Sequence, residues 1–331
     1  MRIASGLTSG AILTALAGVA LAQAPGPKPA PVPAPVKPAQ PPLDIKIMKL
    51  QVVLDHLGFS PGVVDGKGGA ALKRAIAGFQ KAHDIPTTGT VDPATGAAIA
   101  KFGAAQPVVE ITLSPADLAG PFVGPLPKKE DEQAKLPSLG YANALEMLSE
   151  RYHTTAPTLI ALNSPDTKLV PGTKIKVPNV ITAERAYPAN LTDLWKQTLA
   201  GLNVSSTQPQ ADHLVVDKSD KTLSVIDAGG KLLAQFPVTT GSAHDPLPIG
   251  TWKIEALSYN PEFHFNPKLF WDAKKGETAA MLKPGPNGPV GVVWMDLSKP
   301  HYGIHGTPEP QTIGRSESHG CIRLTNWDAA R

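Results

Sequence analysis

The sequence predicts a multidomain protein with a small all-α domain, a small α+β segment and a mainly-β C-terminal domain. With 331 residues, the chain is longer than one typical domain of roughly 100 to 200 residues. Helical periodicity is found in the first half, and short strand-like runs dominate the last third. Many of the 35 prolines lie between these patterned segments, which predicts extended linkers that hold the modules apart.

The first 42 residues are predicted to precede the folded modules. Residues 1–22 have the parts of a secretory signal peptide: a positive charge at Arg2, an apolar stretch from Ile12 to Leu21 and small residues at the end. Residues 23–42 alternate Pro with Ala, Val or Lys, which favours the extended polyproline geometry of a Pro-rich linker. We therefore expect the mature protein to leave the cytoplasm.

Charge and composition exclude several classes of partner. The formal net charge is +3, and no run of Lys and Arg is interleaved with aromatic residues as a nucleic-acid groove requires. The glycine patterns of Rossmann and P-loop nucleotide sites are also absent from residues 211–331. The sequence predicts no nucleic-acid partner and no cofactor.

Residues 43–103 are predicted to form a three-helix domain. Apolar residues recur at i, i+3, i+4 and i+7 from Leu50, and a second amphipathic helix is expected from Ala70 to His83. Asp92 and Pro93 are a suitable N-cap and first-turn pair for a third helix. This stretch resembles the three-helix peptidoglycan-binding module of cell-wall enzymes, and the resemblance implies attachment to peptidoglycan.

Two predicted linkers flank the small α+β segment. Residues 104–137 carry repeated prolines and a mixed-charge run, and residues 180–210 are a polar connection. Between them, residues 138–179 predict two short helices followed by a strand. The segment is similar to the later part of a LysM glycan-binding module, although no opening strand is recognisable around Leu136 to Asn143. It is either a glycan-binding LysM-like segment or a degenerate spacer.

Residues 211–331 are predicted to form a mainly-β domain. Short β-type runs at 214–216, 222–226 and 232–238 are separated by turn residues, which is typical of a β-meander. The glycine-rich stretch later in this domain contains the residues that are best suited to catalysis.

Cys321 is the single cysteine of the chain. An exported protein with one thiol cannot use it for an internal disulfide, so Cys321 is either reactive or a small buried apolar residue. A thiol attacks acyl carbons as a thiolate and needs a basic neighbour. His305, sixteen residues upstream, can fold back onto the sulfur as its base, and His319 can support the site by hydrogen bonding. Backbone N–H groups of Gly320 and Cys321 could stabilise an oxyanion.

The sequence resembles the YkuD-type L,D-transpeptidase family, to which ErfK and YbiS also belong. The resemblance rests on His305-Gly306, on Ser318-His319-Gly320-Cys321 and on Arg323. It implies that Cys321 is the nucleophile, His305 the base, and that the other motif residues support the site or bind substrate. It also implies attack on a peptidoglycan stem tetrapeptide, release of D-alanine and transfer to an amine of diaminopimelate or of a protein lysine, which an acceptor lipoprotein or outer-membrane protein could supply.

Several alternatives remain open from the sequence. His301 and His305 have zinc-ligand spacing, but the surrounding Gly and Pro disfavour the helix that this spacing needs, so no metal is predicted. Arg323 either contacts substrate or pairs with a carboxylate such as Asp328. The whole chain could instead be an inactive wall-binding protein or a thiol hydrolase of the same fold. Because the family continues through a helix and a closing strand, the sequence is expected to be truncated after Arg331.

Overall fold

The computed structural model describes residues 42–103 and 106–331. The predicted signal peptide and all but the last residue of the Pro-rich linker lie outside the described residues. The helices are α1 Ile45–His56, α2 Ala70–Ala82, α3 Pro93–Ala100, α4 Glu130–Gln133, α5 Ala144–Arg151, α6 Ala156–Leu162, α7 Asp193–Gly201 and α8 Asn326–Ala330. The strands are β1 Val108–Thr112, β2 Lys174–Pro178, β3 His213–Asp217, β4 Thr222–Ile226, β5 Leu232–Pro237, β6 Ile254–Tyr259, β7 Phe263–Phe265, β8 Ala280–Leu282, β9 Val293–Leu297, β10 Gly303–His305 and β11 Ile322–Arg323.

The three N-terminal helices are confirmed, and side-chain caps define the starts of two of them. The Asp44 carboxylate accepts the backbone N–H of Lys46 at 2.7 Å at the start of α1. Asp92 likewise accepts the N–H of Thr95 at 2.8 Å at the start of α3. Such caps satisfy donors that the first helical turn leaves unpaired. Within the described part of the chain, no helix has the length and apolar character needed to cross a membrane.

Helix α1 is buried on two faces rather than on one. Leu54 packs with Phe59 and Phe79 in the core of the helical domain. Met48 and Val52 belong to a second cluster, whose other members come largely from residues 108–180. Because a helix with two apolar faces must be covered on both, the helical domain is joined to the middle of the chain through a shared core.

The first predicted linker, residues 104–137, contains a strand. β1 pairs antiparallel with β2, with Val109 opposite Val177 and Ile111 opposite Ile175. The β-branched run at the start of this stretch favours a strand more strongly than the later prolines disfavour one. The middle segment therefore begins with β1 and ends with β2, with helices α4, α5 and α6 between them. Its opening strand lies well before Leu136 to Asn143, where the sequence shows no recognisable strand. Its LysM-like character stays a prediction.

The second predicted linker, residues 180–210, also contains regular structure. The Thr192 side chain accepts the N–H of Trp195 and caps α7. Trp195 and Leu199 are buried in the largest core cluster, together with residues of the C-terminal domain. Helix α7 is thus part of the C-terminal core, because its apolar side chains need a hydrophobic partner that a free linker would not supply.

The C-terminal domain consists mainly of two sheets. The predicted meander is confirmed as the antiparallel order β3-β4-β5. The second sheet has the order β11-β10-β9-β6, in which β10 and β11 are parallel. Apolar side chains of both sheets meet in one core, whose buried members include Leu223, Phe236, Ile304 and Ile322. A separate hairpin of β7 and β8 carries the loop that borders the candidate site.

The modules are not held apart as the proline content predicts. Gln235 on β5 donates its backbone N–H to Gly58 and accepts the N–H of Ser60, each at 2.9 Å. Its side-chain amide donates to the Arg74 carbonyl at 2.9 Å. The helical domain is therefore hydrogen-bonded directly to the C-terminal sheet, and the described residues form one compact unit.

A buried ionic cluster joins all three modules. The Asp55 carboxylate accepts from Arg331 at 2.7 Å and from His153 Nδ1 at 3.1 Å. The His153 ring stacks on Trp327 with centroids 4.9 Å apart. Burial by itself would raise the pKa of Asp55, but Arg331 and His153 outweigh it and hold that pKa well below its usual range. Asp55 is thus ionised and depends on its partners.

We expect Asp55→Ala to destabilise the protein by about 3–5 kcal/mol, because it removes the acceptor 2.7 Å from buried Arg331 and leaves that charge only the Asp328 carboxylate, 3.7 Å away. Urea unfolding followed by tryptophan fluorescence measures this change. Glu110→Ala is the control, since Glu110 pairs with Lys174 at 3.0 Å on the exposed surface. That loss should cost less than about 1 kcal/mol. Equal effects of the two substitutions would contradict the structural role of Asp55.

Candidate active site

The parallel pairing of β10 with β11 brings the cysteine and the upstream histidine together. In this register His305 lies opposite Arg323. Side chains alternate along a strand, so Cys321, two residues before Arg323, shares its sheet face. Cys321, His305 and Arg323 all line one cavity. The local sequence makes this possible because glycine occupies position 303, next to Cys321, where a side chain would meet the Trp294 ring.

The Cys321 thiol is half-buried, and its environment favours the neutral form. Its Sγ donates a weak hydrogen bond to the His301 carbonyl at 3.8 Å. Burial raises the pKa of the thiol, while the Gly303 N–H and the positive charge of Arg323 act in the opposite direction. The net effect favours the neutral thiol, so a base must remove its proton during attack.

His305 is buried and held in one tautomer. Its Nδ1 lies 2.7 Å from the Gly306 carbonyl oxygen. Because a carbonyl can only accept, Nδ1 carries the proton and Nε2 of the neutral ring is left as an acceptor. Burial, the largest cause, and the positive charge of Arg323 together lower the pKa of His305 to about 3, although the hydrogen bond to the Gly306 carbonyl acts in the opposite direction. The ring also stacks on Trp294 with centroids 5.4 Å apart. His305 is therefore a neutral, oriented imidazole.

His319 stands at the edge of the same cavity. Its Nε2 lies 2.8 Å from the Asp272 carboxylate, and the Phe270 ring packs edge-on at 5.1 Å. Both partners belong to the loop between β7 and β8. His319 thus ties that loop to the cysteine turn.

Ser318 and Gly320 shape the turn that presents the thiol. The Ser318 hydroxyl donates to the Cys321 carbonyl at 2.6 Å, and Ser318 is buried outside the cavity lining. The sequence assigns Ser318 to oxyanion or substrate binding, whereas in the structure its hydroxyl is engaged by the turn itself. Gly320 has a φ of +100°, and a Cβ there would lie 2.5 Å from the Tyr302 ring. Only glycine fits this position without strain.

We expect Gly320→Ala to lower the alkylation rate of Cys321 by iodoacetamide by about ten- to hundredfold, since a displacement of about 1 Å costs this much. Timed mass spectrometry measures the rate. Gly172→Ala is the matched control, because Gly172 also has a positive φ of +87° but has no neighbour within 4 Å. An unchanged rate in Gly320→Ala would show that the turn tolerates a side chain.

Arg323 faces the cavity and not Asp328. Asp328 instead accepts from Ser60 at 2.8 Å and lies 3.7 Å from Arg331. The carboxylate-pairing alternative with Asp328 is therefore wrong. The Arg323 Nε has no hydrogen-bond partner among the described residues.

Gly306, the remaining motif glycine, lies behind the site, where Asn326 fills the space that a Cβ would need.

The cavity has a volume of about 1120 Å³ and is large enough for a peptide. One wall comes from the C-terminal domain and holds Cys321, His305, His319 and Arg323. The facing wall includes Glu130 and other residues of the middle segment. The described residues contain no group of three or more His, Cys, Asp and Glu side chains that could hold a metal.

Sequence reasoning misses several residues of the site. Trp294 stacks on His305, Tyr302 packs against Gly320, and Asp272 binds His319. Trp294 lies on β9 and Asp272 in the loop between β7 and β8, so only the folded chain brings them to the cavity. Tyr302 is three residues before His305, but its contact with Gly320 also depends on the fold. The one available signal is the pair of aromatic residues before Asp272, which is unusual in an otherwise polar loop.

Two family profiles match the chain. The L,D-transpeptidase catalytic domain, YkuD, matches residues 211–331. A peptidoglycan-binding domain matches residues 46–99. These ranges contain the cavity motif and the three N-terminal helices, respectively.

Individual relatives point to the same family. YkuD of Bacillus subtilis is 29% identical over 155 residues, which are 47% of this chain and 77% of that protein. A relative from Fuscovulum blasticum, also named as an L,D-transpeptidase, is 32% identical over 154 residues, which are 44% of this chain and 79% of that protein. The matched region spans only 38% of YkuD from Bacillus licheniformis and 62% of YqjB from Bacillus subtilis.

Solved structures overlap with part of the chain. An L,D-transpeptidase from Mycobacterium smegmatis is 23% identical, with a TM-score of 0.29, and the overlap covers 35% of this chain and 50% of that one. The family assignment rests instead on the sequence matches, which include both the Cys321 motif and most of the length of the relatives from Bacillus subtilis and Fuscovulum blasticum. The chain belongs to the L,D-transpeptidase family.

Proposed function

We propose that the protein is a cysteine acyltransferase that acts on the stem tetrapeptides of peptidoglycan. The observation that carries the proposal is the half-buried Cys321 thiol on the same cavity face as the neutral, oriented His305 imidazole. Membership of the L,D-transpeptidase family supports the peptide substrate, and the peptidoglycan-binding profile supports its source in the cell wall.

In the first half-reaction, Sγ of Cys321 attacks the carbonyl carbon that precedes the terminal D-alanine. Nε2 of His305 accepts the thiol proton as the sulfur–carbon bond forms. The backbone N–H groups of Gly320 and Cys321 are our candidates for oxyanion donors. His305 then gives the proton to the departing amine, which leaves as D-alanine, and a thioester remains on Cys321.

In the second half-reaction, an acceptor amine attacks the thioester and Cys321 leaves as the thiol. His305 takes the proton of the amine and returns it to the sulfur. The acceptor is diaminopimelate of a second stem, which would form a 3-3 cross-link, or a lysine of a lipoprotein or outer-membrane protein. We assign Arg323 to contact a carboxylate of either peptide, and its position in the cavity lining supports this role.

The helical domain is proposed to hold the enzyme at its polymeric substrate. Its direct contacts with β5 would keep the cavity at a constant distance from the bound glycan. The LysM-like middle segment could add a second glycan contact. Such a bivalent arrangement raises the effective concentration of stem peptides at the active site. Action on the wall also implies a periplasmic or cell-wall location.

Product analysis tests the proposal. The full chain is incubated with a disaccharide tetrapeptide, with and without diaminopimelate as acceptor, and the products are identified by liquid chromatography and mass spectrometry. A transpeptidase releases D-alanine and joins the acceptor to the tripeptide. Tripeptide without the joined product would identify a thiol hydrolase, and an unchanged tetrapeptide would identify a wall-binding protein without activity.

A further inference from the structure

The carbonyl that orients His305 is itself supported from the middle segment. Gly306, whose carbonyl accepts the His305 Nδ1–H at 2.7 Å, packs directly against Asn326. Asn326 is fully buried at the start of α8, and its Oδ1 accepts the N–H of Val292 at 3.2 Å. The position of Gly306 therefore depends on where the Asn326 side chain is held.

Glu150 holds Asn326 from the other side. Asn326 Nδ2 donates to Glu150 Oε1 at 2.7 Å, and the Tyr141 hydroxyl donates to Glu150 Oε2 at 2.5 Å. Glu150 is on α5, in the middle segment, and is buried. Both carboxylate oxygens are thus engaged, one by each domain, and the carboxylate bridges the two.

The loop at residues 284–287, which contacts Asn326, is also hydrogen-bonded to the middle segment. Asn326 Nδ2 donates to the Pro286 carbonyl at 3.0 Å. Leu139 donates its N–H to the Pro284 carbonyl at 3.0 Å and accepts the N–H of Asn287 at 2.9 Å. The two acceptors that fix the Asn326 amide therefore both depend on contacts with the middle segment.

We propose that Glu150 is a positioning residue for the transfer reaction: it holds Asn326 against Gly306 and so keeps the Gly306 carbonyl where it fixes the His305 tautomer. The inference rests on the proposed function of His305 as the base. It assigns the middle segment a part in catalysis that is separate from glycan binding. A displaced Gly306 carbonyl would let the His305 proton move to Nε2, and a ring protonated there cannot accept the thiol proton.

The hydrogen bond from Asn326 to Glu150 requires an acceptor oxygen at position 150 rather than a negative charge. Burial raises the pKa of Glu150 to about 7, against the lowering effect of its bonds from Tyr141 and Asn326. A carboxyl group with this pKa is about half protonated at neutral pH. Glutamine at this position can accept from Asn326 through its oxygen and donate to the Tyr141 oxygen through its nitrogen.

The test compares Glu150→Ala, Glu150→Gln and wild type in the full chain. Nitrogen-15 NMR of the His305 ring reports the tautomer, and steady-state kinetics on the tetrapeptide report kcat and KM. We expect Glu150→Ala to lower kcat about ten- to hundredfold with KM within about twofold, and to populate the Nε2–H tautomer. Glu150→Gln should restore both properties. Glu150→Leu, which fills the volume without a polar atom, replaces the alanine variant if that variant does not fold.

Gln80→Ala is the control for loss of a buried, hydrogen-bonded side chain. Gln80 is fully buried and bonds to Thr88, Thr90 and Thr95 within the helical domain. This variant should lose stability but keep the wild-type kcat and tautomer. If Glu150→Ala or Glu150→Leu folds and keeps both wild-type kcat and the Nδ1–H tautomer, the inference is overturned. If wild type has no transfer activity but the tautomer shifts in these variants, the positioning stands and the proposed reaction falls.

Discussion

Cys321→Ala is expected to abolish covalent acylation and to lower transfer of the tetrapeptide by about 10⁴- to 10⁶-fold, the range seen when an enzyme loses its nucleophile. Cys321 is the single thiol of the chain, so no second sulfur can substitute for it. Intact-mass spectrometry after incubation with a disaccharide tetrapeptide measures the adduct. Wild type should gain one acyl group, and the variant none.

Binding to purified peptidoglycan provides the control for this substitution. The peptidoglycan-binding profile covers residues 46–99, well away from the cysteine turn. We therefore expect Cys321→Ala to sediment with peptidoglycan as wild type does. An acyl adduct on Cys321→Ala would require a different nucleophile and would remove the proposed mechanism.

His305→Ala is expected to lower kcat/KM by about 10²- to 10⁴-fold, the usual contribution of a general base. The pH dependence of kcat/KM makes this test specific for His305. The folded pKa of about 3 lies below the ordinary value of 6.5, so the base stays unprotonated down to acidic pH. Wild-type kcat/KM should therefore fall only as the pH approaches about 3. The variant should lack this acid limb.

The same pKa shift predicts a loss of stability on acidification. The unfolded chain takes up a proton on His305 below about pH 6.5, whereas the folded chain resists this until about pH 3. The stability that depends on neutral His305 is complete above pH 6.5 and is lost progressively as the pH falls toward 3. Urea midpoints of wild type should decline more steeply over this window than those of His305→Ala.

His213→Ala serves as the control for both measurements on His305. His213 is exposed on β3 and pairs with Asp212 at 2.9 Å. Its removal should leave kcat/KM and its pH profile unchanged. An acid limb of the wild type centred near pH 6.5 would contradict a buried neutral base at position 305.

Local signals in the sequence are sufficient for the N-terminal helices. The Asp92 cap and the apolar spacing from Leu50 onward predict the N-terminal helices, because these are interactions of neighbouring residues. Linker predictions at 104–137 and 180–210 are less successful. Prolines and polar residues dominate their composition, but β1 and α7 are stabilised by pairing with β2 and by burial of Trp195 in a distant core. Composition does not contain that information.

The sequence by itself determined the reactive groups: one thiol in a Ser-His-Gly-Cys turn, and an upstream histidine near enough to reach it. The tertiary structure decided which His305 nitrogen is left as acceptor, that Ser318 serves the turn, and that Asp272 binds His319. It also decided that Glu150 supports the catalytic domain through Asn326, 176 residues away in the chain. Reactivity is a property of residue types, whereas tautomer, orientation and pKa depend on burial and on partners that only folding brings together.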